Sequence, residues 1–151
     1  MSFSVKRFIF ENKFKKLTLL SYWYSAIYWF EVKFIKPSKL KKNWGIEGKE
    51  SAETEEKANY LVAAHVAQTV GRICSKTKWE SKCLVRALTA QKLLADKGID
   101  STLYLGCMED ENKKMVAHAW IRCGEAYVTG GNGAADGYAV VEKFRAGIKN
   151  E

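Results

Sequence analysis

Cys83 and His118 are the residues of this chain whose types and surroundings suit covalent chemistry. Cys83 follows Ser81, a candidate helix cap, by two positions and so falls in the first turn of an expected helix. Backbone N–H groups without partners inside the helix, and the positive end of the helix dipole, favour a thiolate there. Lys82 and Arg86 add positive charge. A thiolate nucleophile needs a group that moves protons through acylation and release. His118 stands between Ala117 and Ala119, small residues that let another chain or a substrate approach. The other histidine, His65, falls on an apolar helical stripe and reads as packing. For Cys83 the competing reading is an inert thiol filling a helix–sheet contact, and for His118 a core histidine. Cys74, Cys107 and Cys123 read as small apolar residues at the ends of elements.

The elements that must position this pair follow from hydrophobic period. The first 36 residues read as one or two helices, and Lys36-Pro37-Ser38 breaks them, since proline disfavours helix in the residue before it. Residues 37–50 have no period and are expected as a connector. Ser51 to Glu56 supplies a polar cap and an acidic first turn. Leu61, Val62, His65, Val66, Thr69, Val70 and Ile73 then keep helical spacing. A second helix runs from the cap at Ser81 to Lys97-Gly98. Beyond it the period changes to two. Ser101 to Cys107 is an expected strand, and Met115 to Cys123 and Ala126 to Thr129 form a hairpin around Gly124-Glu125. Tyr138 to Phe144 is an expected last strand. Helices first and antiparallel strands after give an α+β fold, with helices packed on a small sheet.

A length of 151 residues fits one domain with an appendage. With 47% hydrophobic and 28% charged residues, the composition excludes wholesale disorder and a membrane bundle. The formal charge of +8 is local: residues 1–50 carry eleven Lys and Arg against four Asp and Glu, and the rest is near balance. That basic arm lacks RNA-binding aromatic motifs, so nucleic acid is not an expected partner. The apolar stretch Leu17 to Phe30 is 14 residues long, short of the roughly 20 that span a bilayer, and no small-x-small cleavage site follows it. Its aromatic face suits packing on the domain first and a membrane interface second. Cysteine spacings of 9, 24 and 16 contain no CxxC or CxxH pair, which argues against zinc and against a disulfide scaffold. Reduced thiols, and a cytoplasmic setting with peripheral membrane contact left open, are the expectation.

The local contexts of the pair form an ordered series: Trp79-Glu80-Ser81-Lys82-Cys83-Leu84-Val85-Arg86-Ala87-Leu88, then Lys97-Gly98-Ile99, then Leu103-Tyr104-Leu105-Gly106, then Ala117-His118-Ala119-Trp120. The series resembles the transglutaminase-like cysteine peptidases of lasso-peptide biosynthesis, over about residues 58–131. The resemblance implies a papain/transglutaminase-like fold. Residues 1–50 would be a helical extension with its connector, and residues 51–151 the peptidase domain. It implies Cys83 as nucleophile and His118 as base, with no cofactor and no metal, and Trp120 shaping the site wall. The family often carries an Asp about twelve residues beyond the His. Here that stretch reads Val128-Thr129-Gly130-Gly131-Asn132, without a carboxylate, so Asn132 and Asp136 stand as the candidates for a third group.

The implied activity is removal of the leader from a ribosomally made precursor peptide before a cyclase closes the macrolactam. The implied partners are the precursor and a separate leader-binding recognition protein, with the macrolactam-forming cyclase as a further candidate. The basic arm is open to three roles: a partner-docking surface, a membrane-facing surface or a helical lid. Two other function classes share the fold: acyl transfer to an amine, as in transglutamination, and a catalytically silent scaffold.

Overall fold

The computed structural model describes residues 15–79, 81–131 and 137–147. Helix α1 (Lys15–Phe34) is followed by a short helix α2 (Pro37–Leu40), a 3₁₀ turn (Lys41–Asn43) and a two-residue strand β1 (Ile46–Glu47). Helices α3 (Lys57–Cys74) and α4 (Cys83–Asp96) come next, then strands β2 (Ser101–Glu109), β3 (Met115–Cys123), β4 (Ala126–Thr129) and β5 (Ala139–Ala146). The strands form one antiparallel sheet in the order β1-β5-β2-β3-β4. Helices α3 and α4 layer against one side of it, with α1 packed on those two helices, an α+β fold as expected.

Helix α4 is the centre of the molecule. It packs on α1, on α3 and on strands β2, β3 and β4. Its Leu88 and Leu94 meet Val66 of α3, Leu103 of β2, Ile121 of β3 and Phe144 of β5 in one core. Gly98 takes φ +69 and ends the helix: its N–H bonds the carbonyl of Ala95, and the N–H of Ile99 bonds that of Leu94. Only residues 97–100 separate α4 from β2, so the helix must run back along the sheet. That carries Cys83 towards the end of the sheet where β2 finishes and β3 begins.

Residues 37–50, expected as a connector, are tied into the core. Leu40 and Trp44 are buried, Trp44 meets Phe144 edge-on at 5.5 Å, and the amide of Gln91 donates to the Trp44 carbonyl at 2.9 Å. Two caps differ from expectation. Helix α3 starts at Lys57 with Glu56 as its cap residue, and the Ser51 hydroxyl is used elsewhere: it lies 2.7 Å from Thr102 Oγ1 of β2, which also accepts from the Ser51 backbone N–H at 2.8 Å. Helix α4 is preceded by Lys82, not capped by Ser81. The Ser81 hydroxyl faces Thr77 Oγ1 at 3.2 Å, and its carbonyl accepts from Arg86 Nε at 2.9 Å.

Candidate active site

Cys83 is the first helical residue of α4, half-buried and packed against the core. Lys82 gives the helix no side-chain cap, and the first N–H groups of a helix, Cys83's own among them, have no partner within it. Two of the other thiols have different environments. Cys74 and Cys123 sit in the core. Burial pushes the Cys74 thiol up, with Ser81 and Arg86 opposing. Burial, assisted by the Glu55 and Asp100 carboxylates, pushes Cys123 up to about 11. Cys107 is half-buried in β2.

His118 lies in β3 opposite Gly106 of β2. Alternation along the strand gives the two faces different work. Ala119 and Ile121 turn towards the helices and are buried in the core. His118, Trp120 and Arg122 share the other face with Tyr104 and Gly106. On that face Tyr104 stacks on Trp120 at 5.5 Å and 17°. Trp120 stacks on His118 at 5.7 Å and 24°, and Tyr138 closes on the imidazole at 5.1 Å. Gly106 makes the stack possible, since a Cβ there would stand 2.7 Å from Trp120 Cη2. Trp120 is therefore a wall beside the imidazole, and it is buried.

His118 Nε2 lies 3.1 Å from the carbonyl oxygen of Gly130, twelve residues further on. A carbonyl only accepts, so Nε2 carries the hydrogen and the neutral ring keeps its lone pair on Nδ1. Gly130 sits at φ +65, and a Cβ there would come within 2.9 Å of Nε2 and 2.8 Å of the Ala119 carbonyl. Only glycine brings the backbone this close to the ring. The two candidate third groups, Asn132 and Asp136, lie outside the described residues.

Cys83 and His118 are carried by elements that pack directly on one another, α4 on β3. The thiol approaches from the helix layer and the imidazole projects from the other face. Among the described residues no hydrogen bond or ring contact joins them; the ring's partners are Gly130, Trp120 and Tyr138. The structure therefore places the two side chains on different sides of the sheet and does not bring them together. Strand β4 pairs with β3 only at Ile121, Arg122 and Cys123, so residues 115–120 of β3 have no strand partner on that side among the described residues.

Sequence reasoning passed over Arg122. Its guanidinium donates to Tyr104 Oη (2.9 Å) and to the carbonyls of Ser51 (3.0 Å), Ala52 (3.1 Å) and Gly124 (2.7 Å). It pins the segment before α3 to the imidazole-bearing face. Tyr104 in turn donates to Glu50 at 2.8 Å, and that bond holds the Glu50 carboxyl below its ordinary range. A groove of about 400 Å³ runs along the same face between Glu47, Glu50, Tyr104, Val141 and Lys143, away from both Cys83 and His118. Among the described residues no cluster of His, Cys, Asp and Glu has the closeness a metal ion requires.

A protein-family model described as the transglutaminase-like superfamily matches residues 40–143, the span from α2 to β5 that contains both Cys83 and His118. No curated protein and no solved structure matches the chain.

Proposed function

Because the chain belongs to the transglutaminase-like superfamily, we propose that it is a cysteine peptidase that removes the leader from a ribosomally made lasso-peptide precursor. The superfamily fits cysteine peptidase or acyl-transfer chemistry. The finer reading rests on the motif series from Trp79 to Trp120. One observation carries it into mechanism: His118 has its Nε2 committed to the Gly130 carbonyl, which leaves Nδ1 as the atom that exchanges protons.

In this mechanism the precursor lies extended along the edge of β3 at residues 115–118, which has no strand partner among the described residues. The mechanism requires Cys83 and His118, which lie on different sides of the sheet, to be brought together at that edge when the precursor binds, and the imidazole then takes the thiol proton. The thiolate adds to the scissile carbonyl, and the N–H groups at the start of α4 receive the oxyanion. The C–N bond then breaks, and the imidazolium gives its proton to the departing core amine. Water attacks the thioester, its proton goes to the imidazole, and the leader carboxylate leaves as the thiolate returns. The Gly130 carbonyl positions the ring throughout, in the place where the family's Asp stands. A leader-binding protein acting in trans brings the precursor.

The test is incubation of the full chain with its precursor, with and without the leader-binding protein, followed by mass spectrometry. Freed leader is expected, and both Cys83→Ala and His118→Ala abolish it. Cleavage unchanged in either variant overturns the mechanism. A cross-linked conjugate in place of freed leader assigns the chain to acyl transfer instead. A Cys83 that resists iodoacetamide assigns it to a silent scaffold.

A further inference from the structure

Helix α1 departs from an ordinary surface helix, which turns its apolar stripe inward and its polar residues outward: Leu17, Leu20, Tyr24 and Tyr28 pack on the core, and a second apolar stripe faces away from it. Its buried positions are Leu17, Thr18, Ser21 and Ser25, and the two serines are 0% exposed. They are tolerated there because each hydroxyl bonds its own helix: Ser21 Oγ donates to the Leu17 carbonyl at 2.7 Å, and Ser25 Oγ to that of Tyr22 at 3.0 Å. Small side chains also let α1 approach α3 and α4 closely.

The outward face holds a second set of large apolar residues. Leu19, Trp23, Phe30 and Phe34 are 57%, 64%, 54% and 62% exposed. Their spacings of four, seven and four residues place them on one side of the helix. Lys15 and Lys16 stand at one end of this stripe and Lys33 at the other, with its Nζ 4.9 Å from the Trp29 ring. Lys36 and Lys39 follow, all five exposed, and Glu31 is the single carboxylate of α1. The helix packs on α3 and α4 rather than on the sheet, so the stripe lies on the outer surface of the helix layer.

We propose that this face of α1 docks on an anionic membrane surface, lying in the headgroup region. Trp and Phe between lysines are the residues that settle at that boundary, and lysine stems cover apolar surface while their ammonium groups reach lipid phosphates. An anionic leaflet offers diffuse negative charge to five lysines that a protein groove would have to match one by one. Among the described residues no helix is long and apolar enough to cross a membrane, so the contact is one of lying on the bilayer. The imidazole-bearing face of the sheet stays free.

Co-sedimentation of the full chain with vesicles tests this. Vesicles of phosphatidylglycerol and phosphatidylcholine in equal parts are expected to pellet the protein, with a blue shift in tryptophan emission. Vesicles of phosphatidylcholine alone, or high salt, should pellet about ten-fold less or lower still. The triple variant Leu19→Glu, Trp23→Glu and Phe30→Glu should lose binding while keeping its far-ultraviolet circular dichroism. If that variant does not fold, the lipid and salt comparison on the unaltered chain decides alone. Protein that stays in the supernatant with both kinds of vesicle overturns the proposal. So does equal binding to both, or a lipid-free dimer that the triple variant dissolves, which would assign the stripe to a second copy of the chain.

Discussion

The carbonyl oxygen of Gly130 stands 3.1 Å from His118 Nε2, so a backbone group and not a carboxylate is the partner of that nitrogen. The distinction is electrostatic as well as geometric. A carbonyl fixes the tautomer and aims Nδ1 outward, but it brings no full negative charge to favour an imidazolium. It also frees the site from any side chain at that position, which the left-handed Gly130 lacks.

Gly130→Ala is therefore predicted to disturb the ring before it disturbs the fold. Its Cβ would press on Nε2 and on the Ala119 carbonyl, in a backbone conformation that costs a non-glycine residue about 1 kcal/mol. Nitrogen NMR of the unaltered protein should show the Nε2–H tautomer for His118, and the variant a mixture. Precursor cleavage should fall by about ten-fold or more. A drop in Tm with the tautomer unchanged would make Gly130 a purely structural glycine.

Alkylation separates the thiols. Cys83, at the start of α4, should react with iodoacetamide at mildly acidic pH, and His118→Ala should slow that reaction by about ten-fold. Cys74 and Cys123 should stay unmodified in the folded protein, because both are buried and burial raises both. Peptide mapping after labelling checks this. A rate at Cys83 indifferent to His118 would mean that thiol and imidazole do not communicate around the edge of β3.

What sequence showed and what it hid divide along one physical line. The β3 stretch from Met115 to Cys123 alternates, so the shared face of His118 and Trp120 was legible, and so was the hairpin at Gly124-Glu125, whereas the Arg122 guanidinium on that same face was not. The stop of α4 at Gly98 was legible for the same reason, since a glycine there meets a local backbone need. Ser51 and Ser81 misled because each looks like a cap to its neighbours yet bonds a different partner: Thr102 lies 51 residues from Ser51, and Thr77 precedes α4 altogether. Strand β1 is two residues long and has no period to detect. The Gly130 carbonyl left no trace except a Gly-Gly pair, because every residue has a carbonyl.

Arg122 joins four acceptors on three segments, and the residues it ties together are far apart in sequence. Arg122→Gln should cost about 2–3 kcal/mol, since it leaves carbonyls of the segment at 51–52 without their charged donor. Arg122→Lys should recover little, because an ammonium cannot match the planar fork. Thermal unfolding measures the loss, and a change in Tm of less than a degree would contradict the role.

Gly106 is predicted to tolerate no side chain. In Gly106→Ala the new Cβ would stand 2.7 Å from the Trp120 ring and 3.0 Å from the Ala139 carbonyl, and the backbone partner cannot swing away. Overpacking of this kind costs about 1–3 kcal/mol. Since Trp120 stacks on both Tyr104 and His118, the near-ultraviolet circular dichroism should change along with Tm. An unchanged aromatic signal would show that the stack does not depend on the glycine.

Alkaline stability should report Cys123. Its folded-state pKa is raised from 9.0 to about 11, by burial first and by the Glu55 and Asp100 carboxylates after it, with Arg122 opposing. Between those two values the unfolded chain gives up a proton that the folded protein keeps, so stability falls as pH rises through the window and is fully present below it. The size is of order 3 kcal/mol at most, from about 1.4 kcal/mol for each pH unit of the window. Urea unfolding of Cys123→Ala should lose part of this slope, the remainder belonging to Cys74, Tyr24 and Tyr104, which burial also raises. The variant should start from a lower stability at neutral pH, because the sulfur fills a fully buried position beside Ile121. A slope undiminished in the variant would assign the alkaline sensitivity to those other groups.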